Sequence, residues 1–278
     1  MLLYMSGNLL VLAAALLWSL SGVLIRSVDV SVTWVILIRA VSAAIFLFPF
    51  FMKARITQKK ELIWTGISFA MFMFLFSMTT RVANSVFAVS MQYAAPLYLI
   101  LYTVWQERRI DWQKLPIFLL LLIGILCNLW GSMREVSGLT LFLGLFVGVF
   151  FIFYTIGFQK ITDTNPLGTV GGVNIIASLI FLLMLPFDYE PLPSSGEDLF
   201  VLVMAGIFIS GVSYIIYVKG VQKTTLEGTM MVALAEPIFN PIWVFLGIGE
   251  YPSFLTFIGL FFILIGAVWN ILLLTRED

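Results

Sequence analysis

The chain has 278 residues, with 15 basic and 15 acidic side chains, no histidine and a single cysteine, Cys127. It is 61% hydrophobic and only 11% charged, against about 25% charged in an average soluble protein, so its charges cannot cover a water-facing surface and its solvent must be lipid. Zero net charge gives no reason to expect a nucleic-acid partner, and the cysteine and histidine counts exclude a disulfide framework and a Cys/His metal cluster.

A helix crossing the hydrocarbon needs about 20 mostly apolar residues, and ten such runs lie between polar breaks. The first, 8–26, contains "AAALLWSLSGVLIR", with Trp18 and Ser21 as candidate cavity groups. No small-residue cleavage site follows it, so it reads as a retained span and not as a signal peptide. The second, 32–52, is "VILIRAVSAAIFLFPFF" at its core and holds Arg39 about seven residues, or roughly 10 Å, inside its end. That guanidinium could bind an anionic substrate, but tying helices together through carbonyls or snorkelling outward is the more ordinary reading. The third run is 62–80; the fourth, 85–105, reads "MQYAAPLYLILYTVWQE" and groups Gln92, Tyr93 and Tyr98 around Pro96. After the fifth, 114–131, the sixth, 138–159, carries Gly144 and Gly148 at the close-packing spacing and Tyr154 at the position corresponding to Trp18. The seventh, 168–187, has Asn174; the eighth, 199–218, has Gly206, Ser210, Ser213, Tyr214 and Tyr217. The ninth, 226–248, reads "MVALAEPIFNPIW" from 231 and sets Glu236 against Pro237, with Asn240 and Pro241 following. The tenth is 253–274.

Away from the ends of these runs, Glu236 is the one embedded acid and Arg39 the one embedded base. An acid at mid-helix costs about 2.5–3.5 kcal/mol on insertion scales, so Glu236 needs a reason: coupling or cation binding in a cavity, or a structural bond to backbone freed by the two prolines. Thr229, Val232, Ala233, Asn240 and Trp243 share its helical face.

Basic residues set the orientation. With the N-terminus in the cytoplasm, eleven fall on the cytoplasmic side and three, Arg26, Arg81 and Arg134, outside. Both termini are then cytoplasmic and the 188–198 loop is external. The expected location is a cell (inner) membrane, crossed many times.

The halves resemble each other. "RAVSAAIFLF" (39–48) lies over "NIIASLIFLL" (174–183), "GISFAMFMFLFS" (66–77) over "GIFISGVSYIIY" (206–217), and Pro96 over Pro237. Each half, 1–134 and 135–278, has five runs. An odd number makes the second copy enter from the opposite side, which gives an all-α membrane protein of two inverted five-helix repeats. Secondary transporters built in this way bind substrate near the midplane, where the repeats meet on interrupted helices.

These segments, with the ends "APLYLILYTVWQE" and "EPIFNPIWVFLGIGE" of runs four and nine and the closing "GLFFILIGAVWNILLL", resemble the EamA-like branch of the drug/metabolite transporter superfamily. The resemblance covers essentially the whole chain. It implies ten spans, two repeats, a central cavity and transport of small metabolites or drugs. Ser19 departs from it, standing where the family usually has glycine, as does the scarcity of charges in the cavity-forming helices.

The function expected is secondary active transport by alternating access, driven by an ion gradient or by exchange, since no ATP-binding motif exists. Partners are a small-molecule substrate, the lipid bilayer and protons or another coupling ion. An aromatic cavity suits amino acids, nucleoside-like compounds, amines or vitamins, a cationic ligand gaining cation–π contacts. Candidate site residues are Glu236, Trp18, Gln92, Tyr93, Tyr154, Tyr214, Asn240 and Arg39; no catalytic group, cofactor or metal is expected. The alternative is a channel or a membrane scaffold. An enzyme is disfavoured because nothing embedded pairs with Glu236 except Arg39 and hydroxyls.

Overall fold

The computed structural model describes residues 2–109, 111–132, 136–162, 165–188, 190, 192, 195–249, 251 and 253–277. The division between the halves at 134–135, Arg134 and part of the 188–198 loop lie outside the described residues.

Among the described residues the regular structure is all helical, with no strand. Eight helices are long and apolar enough to cross a membrane: α1 (Ser6–Ser27), α2 (Val32–Lys53), α3 (Lys59–Val82), α4 (Ser85–Glu107), α6 (Gly138–Lys160), α7 (Pro166–Phe187), α8 (Gly196–Val221) and α9 (Leu226–Ile248). Two shorter apolar helices, α5 (Leu115–Gly131) and α10 (Phe254–Asn270), occupy the fifth and tenth apolar runs. Short polar residues start several of them. Ser31, Asn84, Ser137, Asn165, Ser195 and Thr225 each accept a backbone N–H two or three residues on, satisfying one of the free donors that every helix start leaves.

The most extensive packing joins α2 to α7, α5 to α10, α3 to α6 and α1 to α8. Next come α3 with α7, α2 with α8, α4 with α6, and α1 with α9. Glycines bring the backbones close. A Cβ at Gly148 would stand 3.0 Å from the Met91 carbonyl oxygen, and one at Gly206 2.6 Å from that of Arg39, so the small-residue positions of α6 and α8 are contact points for α4 and α2. The outer surface is covered by large apolar side chains such as Ile45, Leu183 and Leu246, each at least two-thirds exposed, a surface that only lipid would wet favourably.

Among the described residues four helices are broken or rewound along their length, and α7 ends in a 3₁₀ turn at Leu185–Phe187. α1 is interrupted at Ser19 and Leu20, α4 at Tyr93, and α9 at Leu234 and Ala235. In α8, Gly206–Val212 is wound as a π-helix. The breaks in α4 and α9 each lie just before a proline, Pro96 and Pro237. A proline ring removes one N–H and crowds the carbonyl four residues back, so the helix before it opens.

Candidate functional site

The break in α9 presents its polar groups to the break in α4. Glu236 begins the second segment of α9 and is 2% exposed. Its Oε2 accepts a hydrogen bond from Gln92 Nε2 at 3.0 Å and lies 2.9 Å from Tyr93 Oη. Tyr93 Oη also lies 2.8 Å from the Ala233 carbonyl oxygen, the acceptor that Pro237 deprives of its helical donor. The sequence grouped Gln92 and Tyr93 around Pro96, the counterpart of Pro237; the structure adds that Gln92 and Tyr93 themselves bind the carboxyl.

A second set of bonds joins α9 to the break in α1. Asn240 Nδ2 donates to the Ser19 carbonyl at 3.1 Å, and Trp243 Nε1 donates to Ser19 Oγ at 2.9 Å. Ser19 Oγ in turn donates to the Leu16 carbonyl at 2.6 Å. The serine that departs from the resembling family's usual glycine is therefore a bonded member of this interface.

Arg39 is buried, 5% exposed, and does not snorkel. Its one described hydrogen bond runs from a terminal guanidinium nitrogen to Ser21 Oγ at 3.1 Å, so the carbonyl ties expected of it are replaced by a hydroxyl tie to α1. Its counterpart Asn174 does bond carbonyls, donating to Val170 at 2.9 Å and to Ser210, in the π-helical turn of α8, at 3.2 Å.

Arg39, Ser21, Trp18, Gln92, Tyr214 and Glu236 line one cavity among buried side chains, with Phe72, Met73, Phe76, Ser77 and Ile209 completing its wall. The cavity holds about 30 Å³, room for one or two water molecules. A metabolite would enter only after the helices move apart. Beside it is a packed set of rings. Trp18 lies 4.8 Å from Tyr214 and 4.6 Å from Tyr217, centroid to centroid, and Phe69 lies 4.8 Å from Tyr214 and 5.8 Å from Tyr154. Tyr217 is held by Thr155, oxygen to oxygen 2.6 Å. The ring contacts draw on α1, α3, α6 and α8.

The eight candidate residues thus lie in one connected region: six touch the cavity or bind Glu236 directly, Tyr154 sits in the ring cluster and Asn240 in the α1–α9 bond set. Tyr98 does not join them. Its hydroxyl donates to the Leu145 carbonyl at 3.0 Å, because five residues past the α4 break at Tyr93 it faces α6. Thr229 is also turned away, its hydroxyl bonding the Thr225 carbonyl of its own helix. The α3 wall, Phe72, Met73, Phe76 and Ser77, was not anticipated; apolar helical spacing marks a buried face without saying which cavity it borders.

The two halves each match the model of the EamA-like transporter family, over residues 5–130 and 138–272. No curated protein matches the chain. Among solved structures, one crystal structure of a protein is similar with a TM-score of 0.74 at 16% sequence identity, over 98% of this chain and 99% of that one, a likeness of fold.

Proposed function

The chain belongs to the EamA-like transporter family, part of the drug/metabolite transporter superfamily, and from that premise we propose that it is a secondary active transporter of small metabolites or drugs working by alternating access. Its ten helices form two inverted five-helix repeats, both termini lie in the cytoplasm of a cell whose (inner) membrane it crosses, and the repeats rock about the buried cavity. The packing supports the repeat. Exchanging each helix of the first half with its counterpart five places on turns the α1–α8 contact into α6–α3, α2–α8 into α7–α3, and α1–α9 into α6–α4, all of which occur; α2–α7 and α5–α10 map onto themselves.

The observation that carries the reading is the meeting of two repeat-equivalent helix breaks, at Tyr93 and at Leu234–Ala235, around one buried carboxyl. Broken helices at a repeat interface expose backbone polarity to a ligand where continuous helices would not. Glu236, Gln92, Tyr93, Asn240 and Arg39 supply polar contacts, and Trp18, Tyr154 and Tyr214 a ring wall for a flat or amphiphilic body. Glu236 couples transport to protons or to another ion. A channel is less favoured, since a lining this bulky encloses space for only a water or two.

The test begins with a thermal-shift screen of metabolites on the purified chain, because a ligand of the folded state stabilises it. A stabilising compound should then show saturable uptake and counterflow in proteoliposomes. Unsaturable flux without counterflow would assign a channel instead.

A further inference from the structure

Tyrosine carries one hydroxyl proton, yet Tyr93 Oη is within bonding distance of two acceptors, the Ala233 carbonyl at 2.8 Å and Glu236 Oε2 at 2.9 Å. Among the described bonds, no backbone amide of its own break takes the place of that donor at the Ala233 carbonyl. The Leu234 amide goes to Met231, that of Ala235 to Val232 and that of Ile238 to Ala235. The bonds can therefore be counted for each state of the acid. When Glu236 is neutral with its proton on Oε2, it donates to Tyr93 Oη, Tyr93 donates to Ala233, and Gln92 Nε2 donates to the remaining lone pair of Oε2. All three contacts are then bonded. When Glu236 is ionised, one proton serves two acceptors. Tyr93 turns to the carboxylate, the stronger acceptor, and the Ala233 carbonyl is left buried without a donor.

We propose that Tyr93 is a positioning residue that transmits the charge of Glu236 to the break in α9, holding Leu234–Ala235 closed while the acid is neutral and releasing it on ionisation. The idea rests on the transporter reading for its consequence in transport, but the switch itself is a property of the free protein. In the step, the Glu236 O–H bond breaks and its proton leaves to water; the Tyr93 hydroxyl keeps its own proton and changes partner. The other groups facing Glu236 leave the count unaltered. Arg39 of α2 contributes the same positive charge in both states, and Ser21 of α1 and Tyr214 of α8 border the cavity without a described bond to the carboxyl. Tyr154 of α6 and Tyr217 of α8 stand in the adjoining ring cluster.

Hydrogen–deuterium exchange of the purified chain, read by mass spectrometry over residues 226–240 across a pH series and corrected for intrinsic exchange, tests this. Wild-type protection at the break should fall by about tenfold or more as Glu236 ionises, the factor expected when one buried hydrogen bond is lost. Tyr93→Phe should give low protection that no longer changes with pH. Pro237→Ala supplies the missing N–H to the Ala233 carbonyl, so its protection should be high and equally flat; it carries the test alone should Tyr93→Phe not fold. A wild type without pH dependence, or either variant titrating as the wild type does, overturns the proposal. No substrate is needed. A chain that switches but carries nothing sinks the transport reading alone, and one that transports without the switch sinks this inference alone.

Discussion

Asn240 Nδ2 donates to the Ser19 carbonyl across 3.1 Å, bonding the break in α1 to the second segment of α9. Both residues are wholly buried, so no water is at hand to replace the bond. Asn240→Ala should destabilise the protein by about 1–3 kcal/mol, the cost of leaving a buried carbonyl without its donor. Ser19→Gly keeps that carbonyl and loses the acceptor for Trp243 Nε1 and the donor to the Leu16 carbonyl, both in part-buried pairs, so it should cost less. Melting temperatures of the two purified variants, compared with wild type, check the order.

The small-residue positions make a sharper prediction because the neighbouring atoms are backbone. A Cβ at Gly206 would meet the Arg39 carbonyl oxygen at 2.6 Å and Arg39 Cα at 3.0 Å, whereas at Gly211, in the same π-helical turn, the nearest atom is 3.5 Å away. Gly206→Ala should therefore push α2 from α8 and cost about 1–3 kcal/mol, as overpacked cores do. Gly211→Ala should be nearly neutral. Thermal unfolding of the pair in one detergent separates the close approach from any general effect of alanine in that turn.

Why some of this was legible in the sequence and some was not follows from the kinds of signal involved. Hydrophobic runs report the lipid-facing requirement directly, and each of the ten runs coincides with a helix. Pro96 and Pro237 marked two of the breaks by removing a donor, and Glu236 announced itself by its cost in an apolar run. Gln92 and Tyr93 could be listed beside it because helical spacing fixes which residues share a face. The break in α1 was hidden, because Ser19 and Leu20 carry no breaker. The π-helical turn of α8 was hidden too. It arises where Gly206 lets α2 approach and where Asn174 bonds the Ser210 carbonyl, contacts between segments far apart in the chain. Tyr98 went the other way: flanking Pro96 in sequence, it is carried to α6 by the turn of the helix after the break.

Orientation is tested at Ser195, an exposed residue capping the start of α8. In a Cys127→Ser background, Ser195→Cys should react with an impermeant thiol reagent added outside intact cells. Reaction only after permeabilisation would place that loop in the cytoplasm and overturn the orientation read from the basic residues.

The central claim is that Glu236 changes charge during the transport cycle. Glu236→Gln keeps the size of the group and its bonding to Tyr93 and Gln92 while fixing it as neutral. The decisive measurement is uptake, into proteoliposomes under an imposed pH gradient, of a compound shown to stabilise the wild-type protein. Wild type should concentrate it above equilibrium, whereas Glu236→Gln should at most equilibrate or exchange it. Accumulation by Glu236→Gln to the wild-type level would contradict the account and leave the carboxyl a structural partner of the helix breaks.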